Sequence, residues 1–159
     1  MKEKILKILC ESARTSNAHI ATMLGVTEEE VAAAIAEREA DGIINGYTAA
    51  VNWEKLENNY VSAMIELRVT PQHNFGFDEI AQRIMEFEEV KSVYLMSGGF
   101  DLLVELRGTS FQEIALFVAK RLSPMESVVS TATHFLLTRY KEDGISFVNG
   151  EEDRRSMVL

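Results

Sequence analysis

Cysteine, proline and histidine are scarce in this chain: of 159 residues one is cysteine (Cys10), two are proline and three are histidine. A single cysteine excludes an intramolecular disulfide and leaves no thiolate cluster for structural zinc. The histidines, His19, His73 and His134, lie far apart with no second ligand at helical spacing, so neither a metal nor a cofactor is expected. Long apolar runs are missing as well. The longest stretch without Asp, Glu, Lys or Arg is the 13 residues from Thr15 to Thr27, short of the roughly 18–20 that a membrane-spanning helix takes. The N-terminal MKEKILKILCE interrupts its apolar residues with charge, unlike a signal peptide. The expectation is a cytoplasmic protein with no membrane partner. Positive charge is the last shortage: 16 basic residues face 25 acidic ones, a net charge of −9. That sign is wrong for a nucleic-acid binder, because affinity for a polyphosphate comes from basic groups that displace its counterions.

What is present fits a soluble α+β chain of one ordinary domain or two small ones, with 47% hydrophobic and 26% charged residues. Residues 4–13 place Ile5, Ile8, Leu9 and Ser12 on one helical stripe, with Lys4, Lys7 and Glu11 outward. Ser16 or Asn17 caps a second helix carrying Ile20, Ala21 and Leu24, and Gly25 ends it. Thr27 with Glu30 three residues on is a capping box, opening a third helix to about Asp41 that buries Val31, Ala34 and Ile35. The following GIINGYTAAVN reads as two short strands about Asn45-Gly46, the strongest two-residue hairpin signal. Three helices and a hairpin make a winged helix-turn-helix over residues 1–52, with LGVT as the bend; a plain three-helix bundle is the alternative.

A polar linker at 53–60 separates this from strand and helix signals in alternation. Tyr60–Thr70 alternates in period two, with Val61, Ala63, Ile65, Leu67 and Val69 on one face. A helix follows over Phe77–Phe87 (Ile80, Ala81, Ile84 and Phe87 inward), then strands at Val90–Met96 and Phe100–Leu106. A second helix turns Phe111, Ile114, Ala115 and Val118 inward, and Val128–Arg139 is the last strand. The order βαββαβ over 61–140 is that of a ferredoxin-like, ACT-like sandwich, one sheet face covered by two helices. On the other face Met64, Tyr94, Met96, Leu103 and Phe135 need cover, which predicts a homodimer. Residues 141–159 read as a tail, charged and then apolar at Met157, Val158 and Leu159. Cys10 reads as an inert buried thiol, and Met23, Met64, Met85 and Met96 as core filler.

The N-terminal helix pattern, GIINGY at 42–47 and the Gly-x-x-Asp of Gly98–Asp101 together resemble the Lrp/AsnC (feast/famine) transcription regulators, to about Tyr140. The resemblance implies DNA binding by the first domain. It also implies dimers that assemble further, as far as octamers in the family, and an amino acid or similar small effector bound between subunits. By that resemblance the Ser97-Gly98-Gly99 turn offers backbone amides to an effector carboxylate, Asp101 faces its ammonium, and Thr131 and Thr133 complete the pocket.

The third helix departs from the pattern of such regulators. Its first turn carries Glu28, Glu29 and Glu30, and its only basic residue is Arg38. Residues 1–52 hold five basic residues (Lys2, Lys4, Lys7, Arg14, Arg38) against eight acidic ones (Glu3, Glu11, Glu28, Glu29, Glu30, Glu37, Glu39, Asp41). The candidate DNA contacts are therefore Lys4, Lys7, Asn17, Thr27, Arg38 and Tyr47, and the expectation is weak, salt-sensitive binding per module. Two other readings stay open: an oligomeric sensor or assembly module that has lost DNA contact, and an enzyme, since certain haem-pathway decarboxylases look like these regulators. Catalysis on a tetrapyrrole would draw on His73 or His134, yet no catalytic residue is identifiable and the expectation is not an enzyme.

Overall fold

The computed structural model describes residues 1–56, 60–71 and 76–148. It divides into two units, one of Met1–Val51 with Lys141–Ser146 and one built on Asn52–Tyr140.

The first unit begins with three helices, α1 (Lys2–Glu11), α2 (Asn17–Leu24) and α3 (Glu28–Ala40). Their starts are set by local chemistry. The Ser16 side chain accepts the His19 N–H at 3.2 Å. At α3 the capping box closes in both directions: Thr27 Oγ1 accepts the Glu30 N–H at 3.2 Å and Glu30 Oε2 accepts the Thr27 N–H at 2.8 Å. Gly25 ends α2 at φ +67°, a left-handed conformation a side chain would resist. Ile5, Ile20, Ala21, Val31 and Ala34 form the buried core, with Ile8, Leu9, Leu24, Val26 and Ile35 packed around it.

Three expectations fail here. No strands form about Asn45-Gly46; the chain from Ile43 to Asn52 carries no ladder. Ile43 and Ile44 N–H both donate to the Arg38 carbonyl, at 2.9 and 3.1 Å. The start of the segment thus closes the end of α3, and the left-handed turn sits earlier, at Gly42. Cys10 is exposed, because it lies beyond the edge of the α1 stripe. Part of the expected tail is ordered into a hairpin, β5 (Lys141–Glu142) with β6 (Ile145–Ser146).

The second unit has the expected βαββαβ order: β1 (Val61–Val69), α4 (Phe77–Met85), β2 (Val90–Leu95), β3 (Leu102–Gly108), α5 (Phe111–Phe117) and β4 (Val128–Phe135). Its sheet runs β2-β3-β1-β4, every neighbour antiparallel. A wide π turn, Val118–Leu122, extends α5 and buries Val118 and Leu122. The core joins Ala63, Ile65, Leu67 and Val69 of β1 and Leu102, Val104 and Leu106 of β3 to Ile80 and Ile84 of α4 and Ile114 and Phe117 of α5.

Register assigns the faces. Ala63 stands opposite both Leu106 and Phe135, and Ile65 opposite Val104 and Thr133, so Phe135 and Thr133 belong to the helix side. Phe135 is therefore not on the second face as expected; it meets Phe111 edge to face, centroids 4.7 Å apart. Phe111 stays 55% exposed at the start of α5 despite that contact, and Phe117 takes the inward place expected of Ala115. Met23, Met85 and Met96 are exposed and fill no core. The last strand stops at Phe135, short of Arg139.

Candidate functional site

The second face of the sheet carries Ser92 and Tyr94 on β2, Leu103, Glu105 and Arg107 on β3, Ser62, Met64, Glu66 and Arg68 on β1, and Ser130, Ala132 and His134 on β4. At one end the unit's own side chains occupy it. Glu105 is 8% exposed, accepts the Ser92 hydroxyl at 3.0 Å and pairs with Arg139 at 3.5 Å. Arg107 lies over the Trp53 ring, 4.9 Å from its centroid, and Trp53 meets Tyr60 edge to face. Trp53 and Tyr60 are thereby fastened to the sheet.

At the other end is a hollow of about 270 Å³ lined by Glu66, Arg68, Gly99, Phe100, Ser130, Thr131 and Ala132. Its floor exists because Ala132 and Ser130 are small and stand opposite Glu66 and Arg68. Arg68 Nε donates to the Gly99 carbonyl at 2.8 Å, holding the turn between β2 and β3 against β1. Glu66 Oε1 lies 3.3 Å from His134 Nε2, which puts His134 on this face.

Of the expected effector residues, the hollow gathers Gly99 and Thr131. Gly98 takes φ +125°, which lets the tight turn form, and does not line the hollow. Asp101 is part of the scaffold: its Oδ2 accepts the Val69 N–H at 2.8 Å, its N–H donates to the Leu67 carbonyl, and its carbonyl accepts the Met96 N–H. That carboxylate sits where the β1–β4 register shifts between Arg68 and Val69. Thr133 and Thr131, opposite Ile65 and Leu67, both fall on the helix side of the sheet; Thr131 borders the hollow only as the residue between Ser130 and Ala132, which face it. Glu66 and Arg68 also line the hollow, and the sequence did not single them out because charged residues alternating with core residues read as a solvated face. The signal that would have found them is opposite charge at i and i+2 of one strand, on the face that lacks helices.

In the first unit, Lys4 and Lys7 are exposed on α1, and Asn17 is the first residue of α2. The other three candidates are committed locally. Thr27 caps α3. Arg38 turns to Asp41 (3.5 Å) and Glu37 (3.9 Å). The Tyr47 hydroxyl donates to Glu39 Oε1 at 2.8 Å, and that bond to a carboxylate raises the phenol's pKa above its ordinary value. Lys2 pairs with Glu37 at 2.5 Å, lowering the pKa of that carboxyl, first through their hydrogen bond. The end of α3 is thus a mesh of carboxylates that neutralises the cations beside it, while Glu28 and Glu29 remain exposed at its start. His73 and the residues after Val148 lie outside the described residues. Among the described residues no group of His, Cys, Asp or Glu could hold a metal ion, and no helix is long and apolar enough to cross a membrane.

Comparison with known proteins covers both units. A family model described as the Lrp/AsnC ligand binding domain matches residues 62–145. The chain is 46% identical to YugG of Bacillus subtilis, an uncharacterized HTH-type transcriptional regulator, over 156 residues, 98% of this chain and 94% of the relative. With the HTH-type transcriptional regulator LrpA of Pyrococcus abyssi it shares 30% identity over 137 residues, 86% of this chain and 94% of that one. Among solved structures, a transcriptional regulator of Neisseria meningitidis in complex with L-Met superposes with a TM-score of 0.73 at 21% identity, covering 89% of this chain and 90% of that chain. These relatives are regulators and not enzymes.

Proposed function

The chain belongs to the Lrp/AsnC family and is a transcriptional regulator, and on that premise we propose that it is a cytoplasmic, DNA-binding, amino-acid-responsive homo-oligomer. Residues 1–52 form the reading head, a helix-turn-helix made by α2, Gly25 and α3, whose wing is the stretch Ile43–Asn52, which carries no hairpin ladder. Residues 53–60 are the linker, and 61–140 are the effector and dimerisation domain, followed by the segment 141–159. The similarity to a named HTH regulator over 98% of the chain carries this reading, since it includes the helices as well as the sheet.

Supporting detail comes from the sheet's second face. The hollow at Gly99 and Thr131 has the size and polarity for a small effector. Met64, Tyr94 and Leu103 on the same face offer apolar area to a second copy of the chain, from a dimer upward to an octamer. Each reading head carries more acidic than basic residues, so DNA affinity comes from several heads held in one assembly.

Fluorescence polarisation of labelled DNA from upstream of the protein's own gene, with and without a mixture of the twenty amino acids, tests the proposal. Binding that the amino acids shift supports it. A second reading rests on Glu28, Glu29 and the neutralised Arg38: the helical unit contacts protein instead of DNA, and the chain is a sensor within a larger assembly. A folded oligomer that binds an amino acid but leaves DNA free would establish that reading.

A further inference from the structure

We infer that Glu66 and Arg68, and not Asp101, are the charged partners of the effector, and that they select a free α-amino acid with both termini ionised. The inference rests on the effector reading above and assigns its chemistry to side chains.

Glu66 and Arg68 lie two residues apart on β1, on one face of the sheet, and both line the hollow. At strand spacing their Cα atoms are about 7 Å apart. Opposite charges so placed would neutralise each other across open solvent, yet among the described residues they form no ion pair. Each is drawn to a neighbour on its far side instead: Glu66 Oε1 to His134 Nε2 at 3.3 Å, and Arg68 Nε to the Gly99 carbonyl at 2.8 Å. Those contacts use one oxygen of the carboxylate and the inner nitrogen of the guanidinium. The outer fork of Arg68 is left for a carboxylate, and Glu66 Oε2 for an ammonium. Ala132, directly across from Glu66, removes the side chain that would fill the gap between them.

Asp101 is unsuited to the same task. Its Oδ2 is held by the Val69 N–H, its backbone joins β1 to the turn, and it does not line the hollow. A ligand with one charge masked leaves Glu66 or Arg68 desolvated without a partner, so an N-acetylated amino acid or an amino-acid amide is rejected along with peptides longer than the hollow.

Isothermal titration of the full-length protein with the twenty free L-amino acids comes first, followed by the N-acetyl and carboxamide forms of the tightest one. The expected result is binding by the free amino acid alone. Glu66→Gln and Arg68→Gln should each weaken it by about 10- to 100-fold. Asp101→Asn, which keeps an oxygen for the Val69 N–H, should hold affinity within about threefold. Ala132→Leu, which fills the hollow without touching a charge, should abolish binding. If Ala132→Leu blocks binding while Glu66→Gln and Arg68→Gln bind as the unaltered protein does, the hollow is the site and the charge assignment is overturned. Equal affinity for the N-acetyl or carboxamide form overturns it too. If no amino acid binds the folded protein, or Ala132→Leu binds normally, the effector reading itself fails and this inference with it.

Discussion

The Asp101 carboxylate accepts the N–H of Val69 across 32 positions of sequence, at 2.8 Å, pinning the turn between β2 and β3 to the point where β1 slips its register against β4. Val69 is 6% exposed, so no water replaces that bond if it is lost. Asp101→Ala should cost about 1–3 kcal/mol of stability, the penalty for a buried N–H left without an acceptor, whereas Asp101→Asn should cost less. Urea denaturation of both variants measures the difference, and equal stabilities would contradict the scaffold role.

Removing Arg139 should be more damaging than its place after the last strand suggests. The Arg139–Glu105 pair is almost wholly buried, with side chains 13% and 11% exposed. Arg139→Met leaves the carboxylate with Ser92 as its remaining hydrogen-bond partner on the sheet and should destabilise by about 3 kcal/mol. Glu105→Leu in the same chain should recover much of that loss. A double-mutant cycle in urea reads the coupling directly.

Thr27→Ala removes one half of the capping box and should cost about 1 kcal/mol, seen as a lower thermal midpoint of the helical unit. Thr27→Ser keeps the hydroxyl and should be close to neutral.

Acid should weaken the sheet unit through Glu113. This carboxylate accepts both the N–H and the hydroxyl of Thr109, and those bonds, the hydroxyl first, lower its pKa below the ordinary value. The folded state therefore binds the proton less readily than the unfolded chain. The stabilisation is complete above the ordinary carboxylate pKa and is lost as the pH falls through the lowered one. Glu113→Gln should be less stable than the parent at pH 7, with the gap closing toward the acid end. Denaturant midpoints across the acid range check this; a gap that persisted unchanged would contradict it.

Charge reversal at the start of α3 should strengthen DNA binding if that turn approaches phosphates. Glu28 and Glu29 are exposed and take no part in the capping box, so Glu28→Lys with Glu29→Lys leaves the helix cap in place. Affinity should rise about tenfold or more at low salt, with a steeper dependence of affinity on salt. Unchanged affinity would place the contacts elsewhere, on Lys4, Lys7 or Asn17.

Much of this protein was legible where the deciding interactions are local or periodic. Thr27 and Glu30 reach each other within one helical turn, and Ala63, Ile65, Leu67 and Val69 declare their face by alternation alone. Failures came where a distant partner decides. Asn45-Gly46 has the residues of a hairpin, but the preceding Ile43 and Ile44 N–H groups are taken by Arg38 and no ladder forms. Alternation in β4 could not say which face Phe135 takes, because a shift of one residue exchanges the two; its pairing with Ala63 settles that. Of the residues that line the hollow, the sequence singled out Gly99 and Thr131 and passed over Glu66 and Arg68, since alternation alone does not show which charge borders a hollow. Asp101 was recognisable as special, but its carboxylate serves the backbone of Val69.

Reading heads with more acidic than basic residues would gain their grip on DNA only from being joined in one assembly. The direct measurement is a polarisation titration of the intact oligomer against DNA carrying one or two copies of a site, at low and at physiological salt. The prediction is feeble, salt-sensitive binding to the single site and binding about 10²- to 10⁴-fold tighter to the tandem one. Equal affinity for the two, or no binding to either at both salts by a folded oligomer, would contradict it.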